Sequence, residues 1–291
     1  MQNHSEGVKA EALLEALPFI QRFRGQTFVI KYGGSAMEDD HLIERLLRDV
    51  VFLEAVGINP VLVHGGGKAI SQRVRESGKI SRFVNGLRVT DEATMKIVED
   101  VLDRLIRPRI VDTMEEFGGR AEGFSGRDVF KAKRLPPQID GKNLVDVGYV
   151  GEVTSLDLAG VREAIDREVV PVISPIAQSE DETILNVNAD LAAGAMAGAL
   201  KAAKMIYVSD VLGVMRDVRD PNSLIPTVNR ENAAHLIKEG VIEGGMIPKV
   251  LSAVDALNEG VGKVHLIDGR IPHALLLEIF TNNGIGTEIV P

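Results

Sequence analysis

The chain of 291 residues contains neither cysteine nor tryptophan. Without thiols it forms no disulfide and offers no thiolate metal site, and none of its six histidines stands in the His-x-x-x-His spacing of a helical zinc site. Positive charge is in short supply, with 33 lysines and arginines against 42 acidic residues and a formal charge of −9. That balance argues against nucleic acid or an anionic membrane as partner of the surface as a whole, and an anionic ligand then requires a local basic cluster. No run approaches the roughly twenty consecutive apolar residues of a membrane span. The N-terminus also lacks the apolar stretch of a secretory signal, so a cytoplasmic location is expected. The commoner catalytic signatures are missing too. Gly67-Lys68 is followed by Ala69 where a Walker loop has Ser or Thr, no Gly-x-Gly-x-x-Gly opens a helix, and Gly123-Phe124-Ser125-Gly126-Arg127 lacks the last glycine of a nucleophile elbow.

What is present is apolar sequence, 45% of the chain, in short runs between amphipathic stretches. Strands are expected at 27–31, 60–64, 169–173, 205–209, 263–267 and 287–290, and helices at 40–56, 68–76 and 186–204. A longer helical pattern starts after the cap Thr90-Asp91 and runs to Phe117, with Pro108 expected to kink or split it. Buried strands alternating with such helices predict an α/β fold, a mainly parallel sheet covered on both faces. Residues 121–153, punctuated by Gly, Pro-Pro and Asp-Gly, predict hairpins that form a lid or substrate wall. A helix over 11–23 precedes the first strand, either packed on its own domain or serving as an arm to a neighbouring subunit.

Two glycine clusters follow strands directly: Lys31-Tyr32-Gly33-Gly34-Ser35 and His64-Gly65-Gly66-Gly67. Turns of this kind close ordinary βα units, but they also let backbone N–H groups approach a polyanion at a helix N-terminus. Lys31 would emerge at the carboxyl edge of the sheet, where ligands bind in open α/β folds. Gly244-Gly245-Met246-Ile247-Pro248-Lys249 repeats the arrangement late in the chain, and Asn186-Val187-Asn188-Ala189-Asp190 projects three short polar groups to one side. Asp190 could hold both ammonium groups and help organise a magnesium ion, while the same segment would serve equally as an N-cap. Arg88 could clamp a carboxylate or form a surface ion pair. His64 reads as a strand-end hydrogen-bonding residue rather than a general base. Two lysines with oriented N–H groups match what phosphoryl transfer needs, positioning and charge neutralisation.

The ordered set of these motifs, with Gly86-Leu87-Arg88-Val89-Thr90-Asp91 between them, resembles the amino acid kinase superfamily and, within it, the N-acetylglutamate kinases. The resemblance implies a three-layer αβα sandwich around a mainly parallel open sheet, with an extra N-terminal helix. It divides the chain into a helix at 1–24, an N-lobe at 25–180 for the acylated amino acid and dimerisation, and a C-lobe at 181–291 for ATP and arginine. The implied reaction moves the ATP γ-phosphoryl group, with Mg2+, to the side-chain carboxylate of N-acetyl-L-glutamate, the second step of arginine biosynthesis. Lys31, Asp190 and Lys249 would be catalytic. Gly66, Gly67, Arg88, Asn186 and Asn188 would hold the acceptor. Lys31, Gly33, Gly34, Ser209, Asp210, Gly213, Gly245 and Lys249 would hold ATP, and no protein metal site is implied. Position 68, usually proline in the family, is Lys68 here.

The resemblance extends to regulation. The leading helix and the segment 272–287 are features of members that L-arginine inhibits, in which N-terminal helices interlace dimers into a hexamer. His265, Glu278 and Gly284 would then contact arginine, Glu278 through paired hydrogen bonds, and a nitrogen-signalling PII protein is a further candidate partner. A sister kinase for an aminoadipate, glutamate or aspartate acceptor, and a non-catalytic amino-acid sensor, are the competing readings. Intact Lys31, Asp190 and Lys249 speak against the sensor.

Overall fold

The computed structural model describes residues 2–37 and 39–291. Its centre is an eight-stranded sheet in the order Thr227–Asn229, Thr287–Val290, Lys263–Asp268, Lys204–Ser209, Thr27–Tyr32, Asn59–His64, Val170–Ile173, Ala121–Phe124. Neighbours run parallel except Lys263–Asp268 with Thr287–Val290. The central strands are buried along almost their whole length because helices cover both faces, which explains their unbroken apolar runs. Of the two larger core clusters, one includes Val29, Val61, Met196 and Tyr207, and the second, on the opposite face of the sheet, includes Phe28, Ile30, Leu47 and Leu62. The expected parallel α/β sandwich is the fold observed. No helix among the described residues is long and apolar enough to cross a membrane.

The stretch 121–153 is only partly a hairpin region. Ala121–Phe124 joins the edge of the large sheet, parallel to Val170–Ile173, because the backbone of a short extended segment pairs as readily with a parallel neighbour. The remainder does form antiparallel pairs, Phe130–Arg134 with Gly151–Leu156 and Gln138–Asp140 with Asn143–Val145. The helical pattern after Asp91 does not break at Pro108. Glu92–Glu99 and Arg107–Glu116 are α-helical, and Asp100–Ile106 between them is π-helical, with the Arg107 N–H donating to the Leu102 carbonyl five residues back. Proline has no N–H to give the fourth carbonyl back, and the wider turn absorbs that loss upstream of it.

The small-residue helix Ala189–Leu200 packs on the sheet, as its composition suggests, and also against Met246–Asn258. A Cβ on Gly194 would stand 2.3 Å from Ser252 Oγ, so glycine permits the close approach of the helices that carry Asp190 and Lys249. The first helix, Gln2–Phe23, packs on the core through Ala16, Phe19, Ile20 and Phe23, and Phe23 meets Phe28 edge-on at 5.3 Å. Leu13 and Leu14, 65% and 67% exposed, face away from the core.

Candidate active site

Strand Thr27–Tyr32 delivers Lys31 to the carboxyl edge of the sheet, beside the turn that follows Asn59–His64. Lys31 Nζ lies 2.8 Å from Asp190 Oδ1, and Lys249 Nζ lies 2.6 Å from Asp190 Oδ2. All three side chains are largely withdrawn from solvent. Burial lowers the Lys31 pKa, with Asp190 opposing that shift. For Asp190, burial pushes upward, but the two ammonium groups together outweigh it and hold the carboxyl below its ordinary range. The result is a buried group of two cations and one anion, a net positive charge ready for an anion. A Cβ at Gly33 would fall 2.6 Å from Lys31 Nζ, so a side chain there would displace the ammonium. Tyr207, whose hydroxyl donates to Ser252 Oγ at 2.8 Å, lies under Lys249, ring centre to Nζ 5.9 Å.

On one side of this group is a cavity of about 220 Å³ lined by Lys31, Gly34, Gly66, Gly67, Arg88, Asn186, Asn188 and Asp190. Arg88 is buried, its guanidinium donates to the Gly67 carbonyl at 2.6 Å and Ser71 Oγ at 2.9 Å, and it sits 4.6 Å from the Phe83 ring. Its burial lowers its pKa to about 10, still cationic near neutrality. Asn186 donates to Thr90 Oγ1 at 3.2 Å, and Thr90 donates to the Arg88 carbonyl at 2.7 Å, so the two acceptor-pocket candidates are linked. Asn188 caps its helix through Oδ1, accepting from Asp190 N–H at 2.8 Å, and lines the cavity as well.

On the other side a cleft of about 850 Å³ is lined by Asp210, Gly213, Gly245, Lys249 and Arg270, with Met215, Val218 and Met246 as apolar wall. Ser209 lies behind it, buried, with an unpartnered Oγ. Gly33 is not among the lining residues, and Gly34 lines the smaller cavity instead. Asp190 has both oxygens facing ammonium groups, which leaves it poorly suited to hold a metal ion. Among the described residues no group of three or more His, Cys, Asp or Glu is placed to hold one. His64 is buried with Nδ1 2.9 Å from the Gly65 carbonyl, and burial lowers its pKa to about 4, so it is neutral near pH 7.

A third cavity, about 580 Å³, gathers His265, Glu278 and Gly284 with Phe19, Arg22 and Phe23 of the first helix. His265 Nδ1 is 2.6 Å from Glu278 Oε1, and Lys204 Nζ is 2.8 Å from His265 Nε2. Glu278 Oε2 already accepts from Ile285 N–H at 2.7 Å and Gly286 N–H at 3.1 Å. Its oxygens are occupied within the chain, unlike the open carboxylate expected for paired hydrogen bonds. The more open carboxylate here is Glu288, 2.7 Å from Lys263. Lys204, Lys263 and Glu288 escaped the sequence reading because a charged residue at the end of a strand, or next to it, looks solvated. Leu102 and Pro175 of the smaller cavity escaped it because they look like core and loop.

Residues 26–268 match the amino acid kinase family. The chain is 50% identical over 283 residues to an acetylglutamate kinase of Akkermansia muciniphila, covering 97% of this chain and 95% of that protein. Two solved structures of N-acetylglutamate synthase from Neisseria gonorrhoeae, both with coenzyme A, are also similar at 26% identity. The one with N-acetyl-glutamate has a TM-score of 0.85 and the one with L-arginine 0.80. Each is covered over 97% of this chain, which spans 63% and 65% of those longer synthase chains. With the glycine turns, the paired lysines and a match over most of its length, this chain belongs to the amino acid kinase family.

Proposed function

We propose that the chain transfers the ATP γ-phosphoryl group to the side-chain carboxylate of N-acetyl-L-glutamate, giving N-acetyl-L-glutamyl 5-phosphate and ADP. The observation that carries this reading is the Lys31–Asp190–Lys249 group standing between an acceptor-sized cavity with a buried arginine and a larger cleft. Arg88 and the amides of Asn186 and Asn188 hold the acylated amino acid, and the N–H groups around Gly66 and Gly67 face its reacting end. A carboxylate acceptor is already ionised near neutral pH, so no general base is required. Its oxygen bonds to the γ-phosphorus as the bond to the bridging oxygen breaks. Lys31 neutralises the moving phosphoryl group and Lys249 the charge gathering on ADP, with Asp190 fixing both. Gly213, Gly245 and Asp210 line the nucleotide cleft, with Gly33, Gly34 and Ser209 beside it. Mg2+ enters with the nucleotide, held chiefly by its phosphates.

The domain division follows the same reading: an arm at 1–24, an acceptor and dimerisation lobe at 25–180, and a nucleotide lobe at 181–291. Arginine inhibits by binding in the cavity that His265, Glu278 and Gly284 line, where Glu288 is the more open carboxylate for its guanidinium. The exposed leucines of the first helix and its contact with that cavity support an arm that joins dimers into a hexamer. A PII protein is a candidate regulator of such an assembly, and the cytoplasm its expected location. The test is ADP release by the purified chain with N-acetylglutamate, glutamate, aspartate and aminoadipate, with and without arginine. Turnover with N-acetylglutamate far above the other acceptors is expected, and preference for a free amino acid would overturn the assignment.

A further inference from the structure

We propose that Leu102, carried on the π-helical turn, limits how far an acceptor side chain can extend toward the glycine turn, and that Asp103 is the positioning residue that holds this wall in place. The inference rests on the acceptor reading given above. Leu102 lines the smaller cavity together with Lys31 and Gly66. Its Cδ2 stands 2.5 Å from where a Cβ on Gly66 would be, and Ile106 Cδ1 stands 2.8 Å from the same point, so the turn bears directly on the glycine whose neighbours face the reacting carboxylate.

The turn has the geometry this needs. Val101, Leu102 and Asp103 are consecutive and all buried, whereas an α-helix on a domain surface turns successive residues away from one another. π-helical turns are rare and concentrate at functional sites. Asp103 uses its burial to fasten the turn to the sheet: its carboxylate accepts from Ser125 Oγ at 2.6 Å and Ser174 Oγ at 2.5 Å, and lies 3.3 Å from Arg107. Ser174 Oγ accepts in turn from Gly126 N–H at 3.0 Å. The two serines directly follow the strands Ala121–Phe124 and Val170–Ile173, and Pro175, next after Ser174, is itself part of the cavity wall. One carboxylate therefore fixes Leu102 and Pro175 relative to the carboxyl edge of the sheet.

The experiment compares N-acetylglutamate with N-acetyl-2-aminoadipate, whose acceptor carboxylate is one methylene further out, on the full-length wild type, Leu102→Ala, Leu102→Met and Asp103→Asn, reading kcat/KM with ATP and Kd by calorimetry. Leu102→Ala is expected to raise the aminoadipate-to-glutamate ratio about tenfold or more, the usual worth of one methylene in an apolar pocket. Leu102→Met should return the ratio toward wild type, and Asp103→Asn should move it in the same direction as alanine by a smaller factor. Both acceptors are measured on one preparation, so loss of folded protein lowers both values and leaves their ratio alone. An unchanged ratio in Leu102→Ala overturns the wall. An unchanged ratio in Asp103→Asn overturns the positioning role. The wild type's own preference judges the acceptor reading, while the shift between wild type and variant judges the wall, by Kd alone if neither acceptor is turned over.

Discussion

At the scale of single residues the proposed chemistry depends on Asp190. Two ammonium groups brought close together repel, and each loses hydration on burial. A carboxylate between them removes most of that penalty and leaves one net positive charge. Replacing Asp190 by Asn should lower kcat by roughly 10²–10³, in the range found when an oriented electrostatic group is lost. KM for the acceptor should change little, because Arg88 lies on the other elements of the cavity. The same change should cost about 3–5 kcal/mol of stability, since it leaves the lysines without their counter-charge. Steady-state kinetics and denaturant unfolding measure the two effects, and a kcat within a few-fold of wild type would refute the assigned role. These three residues stand out in the sequence because glycine turns flank the lysines. Leu102 does not, since a leucine among buried neighbours on a helix has nothing to distinguish it from core.

At the scale of elements, the short helix Ala274–Ile279, which carries Glu278, is held to helix Asp40–Ala55 by Asp49. Asp49 is buried, lies 2.7 Å from His273 Nδ1 and accepts from the N–H groups of Leu275 and Leu276. Burial, only partly offset by these hydrogen bonds, raises its pKa from 3.8 to about 6. The folded state therefore holds a proton that the unfolded state has released between those values, and stability falls as pH rises through that window. Near neutrality the ionised carboxylate costs on the order of 3 kcal/mol relative to acid. Asp49→Asn keeps an acceptor without the charge. It should raise the free energy of unfolding at pH 7.5, with the gain vanishing near pH 4, as denaturation at the two pH values will show. Element positions were largely legible, because apolar runs and caps such as Asp91, which accepts from Thr94 N–H at 2.7 Å, set local structure. The π-helical turn was not, because nothing in a helical apolar pattern distinguishes an i−5 from an i−4 hydrogen bond.

At the scale of the whole molecule, the proposed function has the first helix join regulation to assembly. Phe19, Arg22 and Phe23 form part of the His265–Glu278 cavity, while Leu13 and Leu14 project outward. Deleting residues 1–24 is expected to abolish arginine inhibition and reduce the particle from hexamer to dimer, while N-acetylglutamate turnover without arginine persists. Sedimentation and inhibition assays measure this, and unchanged mass with unchanged inhibition would refute both roles of the helix.

The sequence by itself determined the alternation of strands and helices and the three glycine turns, with Lys31 and Lys249 beside two of them, because periodicity, caps and missing side chains act over a few residues. Only the tertiary structure decided that residues 59 positions apart, Asp190 and Lys249, meet across the glycine-lined packing of two helices. It alone decided that Ala121–Phe124 completes the parallel sheet and that a widened helical turn presses Leu102 against Gly66. Such contacts depend on which surfaces come together once apolar faces are buried, and local spacing does not encode that.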